Sequence, residues 1–337
     1  TDRDDVFHVE GMDVVYHLAA AQHEADVPDR FFWDVNVTGT EHVLEASRRA
    51  GVRRFIHAST SGVYGRGSDG PLDEGSPVRP DNIYGVTKLA GEQLARSYQA
   101  QLPGVVLRIS EAYGPGDLRL LKLFQAIHKN LFCMVGDGRN MHHPVYIDDL
   151  IDSLFAAATV DDAVGKTFVL AGKEPLSTNE MVETIASELG RRVPRRRLPL
   201  AAFSALAAVL EATCRPLHVQ PPLHRRRLDF FRKNLVFRQD QACKHLGHAP
   251  KYSFKEGVAA SKQLAGRASG NEAAGSASRM SRPMPWSRGP GIWPGGGRHA
   301  PAGRRGLPLC VVNSGGPPPR RSASPSPGAL RPPSAPG

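Results

Sequence analysis

The sequence predicts an α/β fold: a partial, doubly wound parallel sheet with a small, mostly helical lobe and a disordered C-terminal tail. Three observations carry this. Short β-rich apolar runs alternate with amphipathic helical segments over roughly the first half of the chain, the order that builds a parallel sheet with helices on both faces. From about residue 191 the chain turns irregular and rich in Arg and Pro. Beyond residue 265 periodicity vanishes, and 14 of the 28 prolines fall after residue 282 among Gly, Ser, Ala and Arg. Such a composition cannot bury enough apolar surface to offset chain entropy.

Taken in order, DVVYHLAA (13–20) is a short apolar run of the kind buried on both faces. Residues 34–50 place Val37, Val43, Leu44 and Ala50 near helical spacing, and Gly51 stops the helix. RRFIHAST (53–60) and VVLRIS (105–110) read as strands, with a helix from Tyr84 between them. TFVLAG (167–172) is another strand, and Ser177 with Glu180 forms a capping-box pattern opening a helix that ends at Gly190. An apolar helix over 198–211, the basic run HRRRLDFFRKN and a short helical segment, DQACKHLGHAP, follow. Residues 1–115 and 145–172 make the sheet domain, 116–144 and 173–265 the lobe, and 266–337 the tail.

The net charge of +10 suggests a polyanion partner until it is located. Residues 267–337 hold ten arginines and one glutamate, so +9 belongs to the tail and about +1 to the rest. The folded part therefore predicts no specific nucleic-acid partner. Tail residues are largely those of GC-rich codons, which raises the hypothesis of an out-of-frame translation; an intact in-frame tail in the coding DNA would overturn it. Cys133, Cys214, Cys243 and Cys310 are widely spaced without a C-x-x-C pair, which predicts free, mostly buried thiols and no metal site. The N-terminus has no apolar signal run, and no apolar stretch is long enough for a transmembrane segment. The expectation is a soluble, cytoplasmic protein.

Tyr84 stands four residues before Lys88. A phenol has a pKa near 10, so proton exchange at pH 7 needs a shift of about three units, roughly 4 kcal/mol. An ammonium on the same helical face supplies it by stabilising the phenolate. Ser59, Thr60 and Ser61 end a strand, where a parallel sheet presents ligand groups.

Six segments occur in order with ordinary spacing: VVYHLAA, NVTGTEHVLEA, RFIHASTSGVYG, YGVTK, LRISEAYGPGD and GDGRNMHHPVYIDDL. Together, over about residues 1–265, they resemble the extended short-chain dehydrogenase/reductases, the NAD-dependent epimerase/dehydratase group. The resemblance implies a Rossmann-type sheet, NAD or NADP as cofactor, a small-molecule substrate and a homodimer. It makes Tyr84 the general acid/base, Lys88 its pKa-lowering partner and ligand of the nicotinamide ribose, and Thr60 the catalytic hydroxyl. Leu18, Ala19, Ala20, Asn36 and Ser59 would line the cofactor, and Ser61, Glu111, Arg139 and His142 the substrate.

Departures refine the expectation. The family's glycine-rich turn, T-G-x-x-G-x-x-G, is not in the sequence, so the chain reads as an N-terminally truncated fragment with an unpaired strand edge and weak dinucleotide binding. Ser61 and Gly62 stand where dehydratases carry Asp-Glu, which speaks against water loss. Glu111 and His142 stand where sugar-nucleotide members place Asn and Arg to hold a diphosphate, and Arg139 lies three residues off. This favours a less anionic, hydroxysteroid-like alcohol, with nucleotide-sugar epimerisation still open. The alternative is a catalytically inactive dinucleotide-binding or scaffolding protein. His17 and His57 read as hydrogen-bonded core histidines, and His142 and His143 as loop residues without a metal.

Overall fold

The computed structural model describes residues 9–22, 27–194, 196–214, 228–262 and 309–312. Four of its strands run in parallel, in chain order: β1 (Val14–His17), β2 (Arg54–Thr60), β3 (Gly104–Ile109) and β4 (Thr167–Leu170). Their registers pair His17 with His57, Thr60 with Ile109, and Ile109 with Leu170, which aligns the carboxyl ends along one edge. The strands are buried almost throughout because both faces are covered. On one face Val14, Ile56, Leu107, Phe168 and Leu170 pack with Leu150 of a helix over Ile147–Thr159. On the other, Val15 and Phe55 meet Val43 and Leu44 of α1 (Gly39–Arg49) and Ala95 of α2 (Ile83–Ser97). A Phe buried to this extent contributes about 1.5–3 kcal/mol.

A second core joins Tyr113, Ile127, Phe132, Met181, Ile185, Phe254 and Val258. Here the capping box appears as expected: Ser177 Oγ accepts from Glu180 N at 3.2 Å while Glu180 Oε2 accepts from Ser177 N at 2.6 Å. Gly190, at φ +63°, follows the end of that helix (Thr178–Glu188).

Several expectations need correction. The helix read from residue 34 begins earlier, with a turn over Asp29–Trp33 and a π-turn over Asp34–Thr38 that leads into α1. The DQACKHLGHAP segment is short and helical as expected, its helix of the π type over Ala242–Leu246 and closed by Gly247 at φ +71°. Cys133 is half-buried and Cys243 exposed, so these two are not core thiols. Finally, the strand edge expected to be unpaired is covered. Leu309–Val312, within the segment expected to be disordered, lies parallel to β1 with Val14 opposite Leu309 and His17 opposite Val312. Its sequence, LCVV, is an apolar, β-prone run, and the open N–H and C=O row of β1 gives such a run its partner. The rest of 266–337 lies outside the described residues.

Candidate active site

The first turn of α2 seats directly on the loop after β2. Asn82 caps the helix, its Oδ1 accepting from Gly85 N at 2.9 Å. A Cβ on Gly85 would lie 2.8 Å from Gly62 O and 2.9 Å from Pro80 Cβ, so only glycine lets the helix come this close. A Cβ on Gly62 would in turn lie 3.4 Å from Thr60 Oγ1 and 3.8 Å from the Tyr84 ring. The Thr60 hydroxyl and the Tyr84 ring thus flank one point beyond the carboxyl end of β2. Thr60 Oγ1 accepts from Gly62 N at 3.1 Å, which orients the hydroxyl and leaves its O–H to donate.

Lys88, one turn along α2, is 2% exposed and gives one of its three N–H bonds to Ala58 O at 2.6 Å. Burial pulls its pKa down to about 8, with the negative charge of Glu92 opposing that shift. Lys88 thus lies on the helix that carries Tyr84, with its ammonium held against β2 at Ala58.

Asn36 is buried in the π-turn. Its Oδ1 accepts from Ala21 N at 2.8 Å, and its Nδ2 donates to Ala21 O and to Thr87 Oγ1, both at 3.0 Å. It ties the segment Leu18–Ala21, beyond the carboxyl end of β1, to α2 between Tyr84 and Lys88. Both ends of its amide are engaged in that tie. Ser59 has a partner the sequence did not announce: its Oγ donates to Glu92 Oε2 at 2.7 Å. Side chains alternate along a strand, so Ser59 and Thr60 face opposite sides.

Two residues that sequence reasoning missed complete this layer. Glu92, fully buried, receives Arg108 Nη2 at 2.7 Å and Arg108 Nε at 3.1 Å. Arg108 also donates from Nη1 to the Tyr64 hydroxyl at 2.9 Å and lies over that ring, 5.2 Å from its centroid. The signal was available: an arginine inside VVLRIS sits on a strand buried on both faces, and a buried charge demands a partner.

Glu111 and His142, expected as separate substrate contacts, form one pair. His142 Nδ1 lies 3.0 Å from Glu111 Oε2, and its Nε2 lies 2.9 Å from Thr178 Oγ1. Burial works to lower the His142 pKa, but the charge and hydrogen bond of Glu111 and the Phe230 carbonyl outweigh it and raise it. Ser61 is buried in the turn after β2. Arg139 stays exposed on the turn after Gly138, its backbone N bonded to Asp137 Oδ1 at 3.0 Å. His143 is a packing residue that contacts Gly172 O at 3.0 Å and accepts from Phe237 N at 3.2 Å. Among the described residues no group of three or more His, Cys, Asp or Glu could hold a metal ion.

His17 bonds to Thr40 Oγ1 through Nε2 at 2.8 Å, as expected of a core histidine. His57 does not fit that expectation. It is buried beside His17, ring centroids 5.6 Å apart, with neither ring nitrogen hydrogen-bonded.

Residues 1–171 match the NAD dependent epimerase/dehydratase family. The chain belongs to this family. Family relatives include an uncharacterized UDP-glucose epimerase, YtcB, of Bacillus subtilis, 32% identical over 55% of this chain and 61% of that protein. Another is the 4-hydroxy-2-methyl-3-oxo-4-farnesyl-3,4-dihydroquinoline-1-oxide ketoreductase of Stigmatella aurantiaca, 30% identical over 75% of this chain and 77% of that one. Among solved structures, the UDP-glucuronic acid 4-epimerase of Bacillus cereus in complex with NAD is similar at a TM-score of 0.63 and 25% identity, covering 80% of this chain and 78% of that one. The chain thus spans about three fifths of the length of the first of these family members.

Proposed function

We propose that the protein is a nicotinamide-dependent oxidoreductase acting at a secondary alcohol or ketone carbon, with Tyr84 exchanging the substrate proton. The observation that carries this is the convergence of the Tyr84 ring and the Thr60 hydroxyl on Gly62, one helical turn from buried Lys88. The residues fit the nicotinamide-ribose end of NAD: Lys88 spends one N–H on Ala58 O and keeps others to give a ribose hydroxyl. When bound, the nicotinamide supplies or accepts the hydride. Thr60 donates to the substrate oxygen and holds it beside Tyr84. Tyr84 takes or returns the proton at that oxygen, and the charge on Lys88 favours its phenolate.

The Glu111–His142 pair bears on substrate class. A carboxylate joined to an imidazole whose pKa is raised offers little net charge, so it gives a diphosphate no cationic clamp. An uncharged ring alcohol or ketone fits better, in keeping with the ketoreductase relative. A nucleotide sugar is the second reading, favoured by the similarity to epimerases that carry UDP-sugar names.

The test follows absorbance of reduced nicotinamide in the protein as expressed, with cyclic secondary alcohols and with UDP-sugars as substrates. Tyr84→Phe is expected to cut turnover by about 10²–10⁴-fold, the usual worth of a positioned acid/base. Net reduction of free NAD supports dehydrogenation, and interconversion without it supports epimerisation. Unchanged turnover in Tyr84→Phe would overturn the role given to Tyr84, and no turnover of any of these substrates would favour a binding or scaffolding role.

A further inference from the structure

A third helix, α3 (Leu200–Cys214), has no polar face to offer water. Its fifteen residues, LAAFSALAAVLEATC, contain one charge, Glu211. Phe203 turns inward and packs with Val135, Leu228 and Phe231. Outward stand Leu206, 49% exposed, and Val209, 59% exposed, together with exposed Leu200, Ala201, Ala202 and Ala205. A surface helix normally carries polar residues there, and contiguous exposed apolar surface marks an interaction site. At about 1.5 Å per residue the helix is roughly 22 Å long, short of the ~30 Å needed to span a bilayer.

The approach to the helix supplies the charge. Arg191, Arg192, Arg196 and Arg197 are all exposed, as is Val193. Arg197 Nη1 donates to Asp137 O at 2.9 Å, which holds the base of this row in place. In the sequence a second basic run, His224-Arg225-Arg226-Arg227, follows the helix. An apolar helix preceded by a row of exposed arginines suits a surface with acyl chains beneath and phosphates in one plane, because arginine stems reach upward from the apolar layer. A second copy docking by the same face would set arginine row against arginine row.

We propose that α3 and its flanking arginines seat the protein on an anionic membrane surface, the helix lying in the interface plane. Nothing in the proposed chemistry requires this. The experiment is co-sedimentation of the full chain with phosphatidylcholine vesicles, with and without phosphatidylglycerol. The expected result is binding to the anionic vesicles that weakens as salt rises, and a tenfold or greater loss for Leu206→Glu/Val209→Glu with far-UV circular dichroism unchanged. A second variant, Arg192→Glu/Arg196→Glu, changes exposed coil outside the helix and is expected to lose anionic binding too, so misfolding of the first cannot shelter the idea. Binding that survives both variants belongs to the tail arginines and overturns the proposal. Equal binding to neutral vesicles, or self-association that Leu206→Glu/Val209→Glu abolishes while no vesicle binding is seen, overturns it as well.

Discussion

One carboxylate, Glu92, holds the strand and the helix of the site together. It takes the Ser59 hydroxyl and two Arg108 nitrogens inside a layer closed to water. Glu92→Gln would leave the Arg108 guanidinium buried against a neutral amide, and losing one partner of a buried pair costs about 3–5 kcal/mol. Urea unfolding measures this; a loss below about 1 kcal/mol would show the pair to be marginal. At this scale the sequence was partly legible. Tyr84 and Lys88 were readable because helical spacing fixes their common face, and Thr60 because it ends a strand. The Ser59–Glu92 bond was not legible, because it joins residues 33 apart that only the packing of α2 on β2 brings together. Asn36 could not be read as a tie, since its partners at Ala21 and Thr87 are brought to it by a π-turn that no residue pattern announced.

At the scale of elements, the active geometry depends on how closely α2 approaches the loop after β2. Gly85→Ala puts a methyl 2.8 Å from a backbone oxygen, so the first helical turn must move. Such overpacking costs about 1–3 kcal/mol of stability. Turnover is expected to fall further than stability implies, because the displaced residue is next to Tyr84; activity compared with the urea midpoint checks this, and proportional losses would contradict it. The four parallel strands and their helices were legible from apolar runs and periodicity. The pairing of Leu309–Val312 with β1 was not, since the local composition around LCVV speaks for disorder and only the open edge of β1 speaks against it.

Across the whole molecule, buried neutral histidines couple stability to acid. Burial is the leading cause that lowers His17 to about 3, His143 to about 4, and both His57 and His248 below the ordinary value. Between the free value of 6.5 and these lower folded values, the unfolded chain binds protons that the folded one refuses. Stability is therefore present above about pH 6.5 and falls as pH drops, by up to about 1.4 kcal/mol per pH unit for each such histidine. His142, raised by Glu111, works in the opposite sense and offsets part of one proton. Urea titrations at pH 7 and pH 5 should differ by several kcal/mol, and equal midpoints would contradict the burial of these rings. The central claim is that Lys88 eases the ionisation through which Tyr84 passes its proton. The most direct measurement is turnover against pH for the native protein and for Lys88→Met. In the direction of alcohol oxidation the acid limb is expected to move to higher pH in the variant, whereas superimposable profiles would contradict this role of Lys88.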